Sequence, residues 1–228
     1  MKEEKRERIR NALVSFAKKE FKMNATESSL EVIDQNASAI QAEQVNIVAP
    51  ISPTPVSLMK EIVPQLKLDS SSRVIELGCG DGRWIMNLAK KFQCNCIGTD
   101  IDKERLKLAR RHEKKIREDG ERHDYSITFL SVDIFDYLGE TDFVSGQDLV
   151  IMYLFREAMT RISGILKEKG LSTSPYTYIQ KDGENIEERD MKSVIQLLCI
   201  GFKLPGFVPV WQSRVEGIRA YLYHAETP

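Results

Sequence analysis

The sequence predicts an α/β protein. The expected architecture is a mostly parallel sheet with helices on both faces, closed by an antiparallel hairpin and preceded by a helical N-terminal appendage. Three observations lead there. First, short apolar, β-branched runs alternate with longer amphipathic stretches from Pro55 to Gly170, the rhythm of strands and helices in a parallel sheet. Second, "GIRAYLYH" alternates residue by residue after "FVPVWQSRV" and a short turn, as paired antiparallel strands do. Third, "VAPISPTPVS" carries Pro50, Pro53 and Pro55, which force an extended path and mark a border in the chain.

Within residues 3–22, Ile9, Leu13, Phe16 and Ala17 recur at helical spacing among lysines and glutamates, so an amphipathic helix is expected. Thr26 or Ser28 in "NATESSLEVIDQ" would cap a second, shorter helix. The expected division is an appendage over 1–47 and a main domain over 48–228. In that domain "PVSLMKEIVPQL" reads as a helix interrupted at Pro64. "SRVIEL" follows as a strand, "GRWIMNLAKKF" as a helix and "NCIGTD" as a strand. "DKERLKLARRHEKKIRED" is a long charged helix with Leu106, Ala109 and Ile116 on its inner side. "SITFLSVD" and "DLVIMYLF" are strands, and "MTRISGILKE" is a helix ending at Gly170. An insertion over 172–199 follows, with a helix expected from Ile186 to Leu198.

The 228 residues, 42% hydrophobic and 29% charged, suffice for one α/β domain and an appendage. The net charge of −1 excludes a generally basic surface and argues against nucleic acid as partner. No apolar run is long enough to cross a bilayer, and "MKEEKRERIR" lacks the apolar core of a signal peptide. The four cysteines, Cys79, Cys94, Cys96 and Cys199, form no CxxC pair, and only three histidines accompany them. No metal is therefore expected. Free thiols without an export signal point to the cytoplasm, with the nucleus as alternative.

The chemistry concentrates in "RVIELGCGDGRW". A dinucleotide site wants glycines in G-x-G-x-x-G spacing, but the place of the third glycine holds Arg83. No Lys-Ser or Lys-Thr pair follows, so a P-loop is excluded too. The run is instead an acid followed by alternating glycines, Glu76-Leu77-Gly78-Cys79-Gly80-Asp81-Gly82. It resembles motif I of the class I S-adenosylmethionine-dependent methyltransferases, whose sheet is Rossmann-like. That ligand has no phosphate to cradle, and its methionine end carries an ammonium. Glu76, with carbonyls near Gly78 and Cys79, would hold the ammonium, and Gly80 and Gly82 would let the turn pass close to it. Asp100, ending the second strand, would accept hydrogen bonds from the ribose hydroxyls, with Ile101 beside it. The resemblance makes Asp133 the acid for the adenine amino group, with Ile134 beside the ring. Met152 and Tyr153 stand at the end of the fourth strand, where ligands lie in open α/β sheets.

The acceptor is read partly by exclusion. The fourth strand ends Ile151-Met152-Tyr153-Leu154, without the Asn/Asp-Pro-Pro-Tyr run of adenine and glutamine amide methyltransferases. No cysteine has the setting of a cytosine C5 nucleophile. The segment from Ala49 to Phe92 resembles the archaeal broad-specificity protein lysine methyltransferases and their relatives that methylate the ATP synthase c-subunit. The match rests on Pro53-Thr54-Pro55 ahead of Glu76 to Arg83, on the fourth strand with its helix, and on the closing hairpin. The resemblance implies S-adenosylmethionine as methyl donor, S-adenosylhomocysteine as product and a protein lysine ε-amine as acceptor. Thr54 would cover the methionine end, and Tyr153 would line the channel as the candidate catalytic residue. The insertion departs from the family and is expected to shape the substrate mouth. The alternatives are a small-molecule or RNA methyltransferase on the same fold, and a non-enzymatic scaffold acting through the N-terminal helix.

Overall fold

The computed structural model describes residues 54–118, 124–140, 146–173 and 194–226. The expected appendage over 1–47, and Pro50 and Pro53 of the proline segment, lie outside them.

Pro55 is the N-cap of helix α1, Val56–Ile62, which buries Leu58, Met59 and Ile62; a 3₁₀ turn at Val63–Gln65 carries Pro64. Strand β1, Arg73–Leu77, is buried from Val74 to Leu77. A strand without an exposed face needs cover on both sides, and the alternating helices supply it. Helix α2 is Arg83–Phe92, strand β2 Asn95–Asp100 and helix α3 Lys103–Arg117. Strand β3 is Ile127–Ser131, helix α4 Ile134–Glu140, strand β4 Leu149–Met152 and helix α5 Arg156–Glu168. The two-residue strand β5, Ser172–Thr173, precedes β6, Val194–Ile200, β7, Trp211–Val215, and β8, Ile218–Glu226. The sequence pattern anticipates each described element of the first half except α4, which is too short to develop a period.

The strands form one sheet in the order β3-β2-β1-β4-β6-β8-β5, with β7 paired to β8. β1 lies parallel to β2 on one side and to β4 on the other, so the chain reverses its direction of travel across the sheet there. At such a switch point the loops leaving the strand ends diverge and open a crevice. β8 runs antiparallel to β6 and β7, and β7 turns into β8 through Glu216 and Gly217, both at positive φ. This is the expected closing hairpin.

The stretch from Val194 to Leu198 is strand, not the C-terminal part of a helix, which corrects the expectation for Ile186–Leu198; residues 186–193 lie outside the described residues. β6 sits inside the sheet, parallel to β4 and antiparallel to β8, and six of its seven residues are buried. A strand covered on both faces reads as a continuous apolar run, and such a run has no period to separate strand from helix. One polar residue in it is fully used. The Gln196 amide accepts from the Lys67 N–H and donates to the Lys67 carbonyl, both at 2.9 Å.

This assignment also moves the insertion. The chain leaves the described structure after Thr173 and returns at Val194, and both residues stand beside the last two residues of β8. That edge is the N-terminal end of the parallel strands, opposite the crevice. The insertion therefore roots away from the expected substrate mouth. At the opposite, C-terminal end of the parallel strands the chain runs from β6 into the segment beginning at Gly201.

Candidate functional site

The site builds up from the turn between β1 and α2. Gly78, Gly80 and Gly82 all adopt positive φ. The Gly78 and Cys79 N–H groups both donate to the Thr99 carbonyl, at 2.9 and 2.8 Å, and fasten the turn to β2. The Gly80 N–H donates to Asp100 Oδ2 at 2.7 Å. Asp100 Oδ1 accepts from the Asp102 N–H at 2.9 Å. Asp100 is thus not the N-cap of α3. That cap is Asp102, which accepts from the Glu104 and Arg105 N–H groups. Asp100 is half-buried at the C-terminal end of β2, and Ile101 beside it is 40% exposed, an apolar side chain left uncovered at the crevice.

Gly82 is also packed tightly against its own protein. A Cβ there would lie 2.8 Å from the Phe129 ring and 3.2 Å from the Ala109 Cβ. Its bareness lets α2 start tight against β3 and α3; the close approach is to protein. Cys79 likewise faces inward, since a Cβ on Gly98 would lie 2.8 Å from its Sγ. Its carbonyl accepts from the Gly82 N–H at 2.9 Å and is engaged in the turn. Burial, with the Glu76 and Asp100 charges behind it, pushes the Cys79 thiol pKa far up, so it is no nucleophile.

Glu76 is the anomaly of the site. It lies in the middle of the sheet at the end of β1, 4% exposed, and its Oε2 has no hydrogen-bond partner. Burial, then the charges of Asp81 and Asp100, hold its pKa well above the ordinary range, against smaller contributions from Arg83 and the Ile85 N–H. Arg83 cannot neutralise the group alone, because its Nε donates to Asp81 Oδ1 at 3.0 Å. Burial raises the Asp81 pKa, but Arg83 outweighs this and holds it below its usual value. Three carboxyl groups thus converge on one turn, against Arg83 and the Arg105 guanidinium beside Gly80. An orphaned carboxyl oxygen in an anionic pocket suits a ligand that brings a positive charge and N–H donors. S-adenosylmethionine brings both, through its ammonium and sulfonium, and the residues fit it.

Asp133 follows β3 and accepts the Phe135 N–H through Oδ1 at 2.7 Å, which starts α4. Ile134 is 5% exposed and belongs mainly to the core. Thr54 is buried, and its Oγ1 accepts from the Trp84 indole N–H at 3.0 Å. Thr54 is thereby fixed to the first turn of α2. Trp84, 1% exposed, is a residue that pattern reading passes over, because an indole in an amphipathic helix looks like core. Tyr153 is half-buried just past β4. A Cβ on Gly201 would meet its ring at 3.3 Å, so this glycine lets the segment after β6 close over the tyrosine. Glu76, Asp100 and Gly80 are linked around one turn, and Asp133 and Tyr153 follow β3 and β4 at the same end of the sheet. Among the described residues no cluster of His, Cys, Asp and Glu could hold a metal ion.

Comparison with known proteins agrees with this geometry. Residues 74–170, from β1 to the end of α5, match the family model of a methyltransferase domain. A protein-lysine N-methyltransferase of Saccharolobus islandicus is 30% identical over 121 residues, covering 53% of this chain. The match spans 66% of that relative's length. Among solved structures, an RNA methyltransferase from Salinibacter ruber, in complex with S-adenosyl-L-homocysteine, superposes with a TM-score of 0.56 at 21% identity. The superposition covers 76% of this chain and 93% of that one. A conserved hypothetical protein of Streptococcus pyogenes superposes with a TM-score of 0.50 at 12% identity, over 74% and 93%. These structural likenesses concern the fold. Residues 74–170 thus form a methyltransferase domain, and with the acid-and-glycine turn inside it the chain resembles the class I S-adenosylmethionine-dependent methyltransferases.

Proposed function

We propose that the protein transfers a methyl group from S-adenosylmethionine to a lysine ε-amine of another protein. The observation that carries the acceptor class is the 30% identity to a protein-lysine N-methyltransferase. The Glu76 carboxylate takes the cofactor's ammonium, and Asp100 takes the ribose hydroxyls with the lone pairs that Gly80 and Asp102 leave free. Ile101 would flank the cofactor beside Asp100, and Asp133 would meet the adenine amino group. Thr54, held by Trp84, covers the methionine end.

The bound cofactor supplies an electrophilic methyl carbon on a positive sulfur. The chain's own task is to align the amine nitrogen with that carbon in line with the breaking carbon–sulfur bond. A lysine amine has a pKa of about 10.4 in water and must lose its proton first. Tyr153, half-buried beneath Gly201, would help strip water from the amine, which lowers that pKa, and the sulfonium charge would act the same way. A dedicated strong base is not required. Tyr153 orients the amine.

The charges on α3 do not support an RNA track. Lys107 pairs with Glu104, Arg117 with Glu113 and Lys114 with Glu118, so three of the eight lysines and arginines on this helix are spent within it. Incubation of the protein with methyl-labelled cofactor and a cell lysate tests the reading. Label in protein, released as methyllysine on acid hydrolysis, is expected. Label confined to RNA or to small molecules would overturn the lysine assignment.

A further inference from the structure

We propose that Arg156 and Lys203 form an anion-binding rim beside Tyr153 that selects protein substrates carrying Asp or Glu close to the acceptor lysine. This rests on the reading of the chain as a protein lysine methyltransferase and adds the character of the sequence around the target.

The two cations come from different elements that meet at the mouth. Arg156 opens α5, three residues beyond Tyr153. Lys203 follows Gly201 and Phe202, and Gly201 is the residue that lies against the Tyr153 ring. The Arg156 guanidinium carbon sits 5.4 Å from the centre of the Phe202 ring, and Lys203 Nζ sits 5.5 Å from the centre of the Tyr221 ring. Aromatic faces hold both heads in place without consuming their hydrogen-bonding edges. Neither has a carboxylate partner within 4.0 Å among the described residues, and both side chains are exposed. The contrast with α3 is chemical: there Lys107, Lys114 and Arg117 are each matched by a glutamate one turn away. Glu157 adjoins Arg156 in sequence, but consecutive helical residues do not face each other.

Position sets which substrate residue is read. Three residues of chain span at most about 10 Å, so Arg156 stays within that distance of Tyr153 measured along the backbone. An extended peptide advances about 3.3 Å per residue. With the amine at Tyr153, a carboxylate two or three residues away along the substrate falls at the rim. The planar guanidinium suits a carboxylate bidentately, and the lysine adds a second point charge. A phosphate would also satisfy these groups, but RNA presents one charge per nucleotide and calls for a longer row of free cations. The half-buried Phe155 and Phe202 beside the rim favour a peptide with apolar contacts.

The test uses synthetic peptides with one central lysine. Asp, Ala or Lys stands two or three residues to either side. Methylation is measured with the full chain, with Arg156→Ala, Arg156→Lys and Lys203→Ala, and with the double variant Arg156→Glu, Lys203→Glu. In the unaltered protein kcat/KM is expected to be about tenfold higher for the acidic than for the neutral peptide, mainly through KM, as suits two charged contacts at a wet rim. That ratio is expected to approach 1 in the alanine variants, to recover partly in Arg156→Lys, and to invert toward basic peptides in the double variant. Calorimetric affinity for S-adenosylmethionine checks that each variant is folded. Methyllysine formed with no dependence on flanking charge overturns the rim and leaves the lysine reading standing. No methyllysine in any peptide or lysate protein overturns both. RNA labelling that Arg156→Ala abolishes overturns the acidic peptide in favour of a polyanion.

Discussion

The Gly80 N–H donates to Asp100 Oδ2 at 2.7 Å, so the turn after β1 and the end of β2 are coupled through one side chain. The same carboxylate takes the Asp102 N–H on its other oxygen. Asp100→Ala would strand two backbone donors and remove the ribose acceptor together. We expect cofactor affinity to fall by about 1–3 kcal/mol, the scale of hydrogen bonds to a charged group. The melting temperature should fall as well. Calorimetry showing unchanged affinity would remove Asp100 from the ribose site.

Glu76 predicts a pH dependence with a definite sign. Burial raises its pKa above the ordinary value of 4.5, so the folded protein keeps a proton that the unfolded chain gives up. The stability linked to that proton is complete below the ordinary value and is lost as pH rises through the raised one. The free protein should thus become less stable with rising pH over this window. A bound ammonium favours the anionic form, so cofactor affinity should rise with pH over the same range and binding should release a proton. Titration calorimetry in two buffers of different ionisation heat reads that release directly. Glu76→Gln should abolish it and weaken binding; equal heats in both buffers for the unaltered protein would refute the assignment.

The Thr54–Trp84 hydrogen bond predicts a non-additive pair. Trp84→Phe or Thr54→Val alone breaks a buried bond, and Thr54→Val leaves the indole N–H without its partner at a cost of about 1–3 kcal/mol. The double variant should lose less than the sum of the two, and urea denaturation of all four proteins measures the difference.

Gly82→Ala should damage the fold more than the cofactor site. Its Cβ would press on Phe129 at 2.8 Å, with the backbone at φ +74°. Overpacking of this kind costs about 1–3 kcal/mol. Adding Phe129→Leu should recover part of that stability in chemical denaturation. A Gly82→Ala protein of full stability that has lost only its cofactor would return the glycine to the ligand.

Much of this is legible in the sequence, and the failures share a cause. β1, β2 and α5 announce themselves through apolar runs and periods bounded by turn residues. The acid-and-glycine run points to its ligand class because that combination serves few purposes. β6 misleads because a strand buried on both faces has no alternation to display. α4 escapes notice because its seven residues complete barely two turns. The roles of Trp84 and Gly82 depend on contacts with Thr54 and Phe129, far along the chain, which local patterns do not carry. That Asp102, and not Asp100, caps α3 turns on a choice between two acids two residues apart, a separation below the resolution of pattern reading.

The place of β6 in the sheet also bears on how the chain folds. The half-sheet β3-β2-β1-β4 is made entirely of residues up to Met152, whereas the strand that covers the open edge of β4 begins only at Val194. During synthesis that edge waits, with its backbone groups unpaired, until a strand far downstream has emerged. Exposed edges of this kind recruit foreign strands. A chain truncated before Val194 should therefore aggregate and not form a smaller stable domain, and the segment most in need of a chaperone's protection is β4.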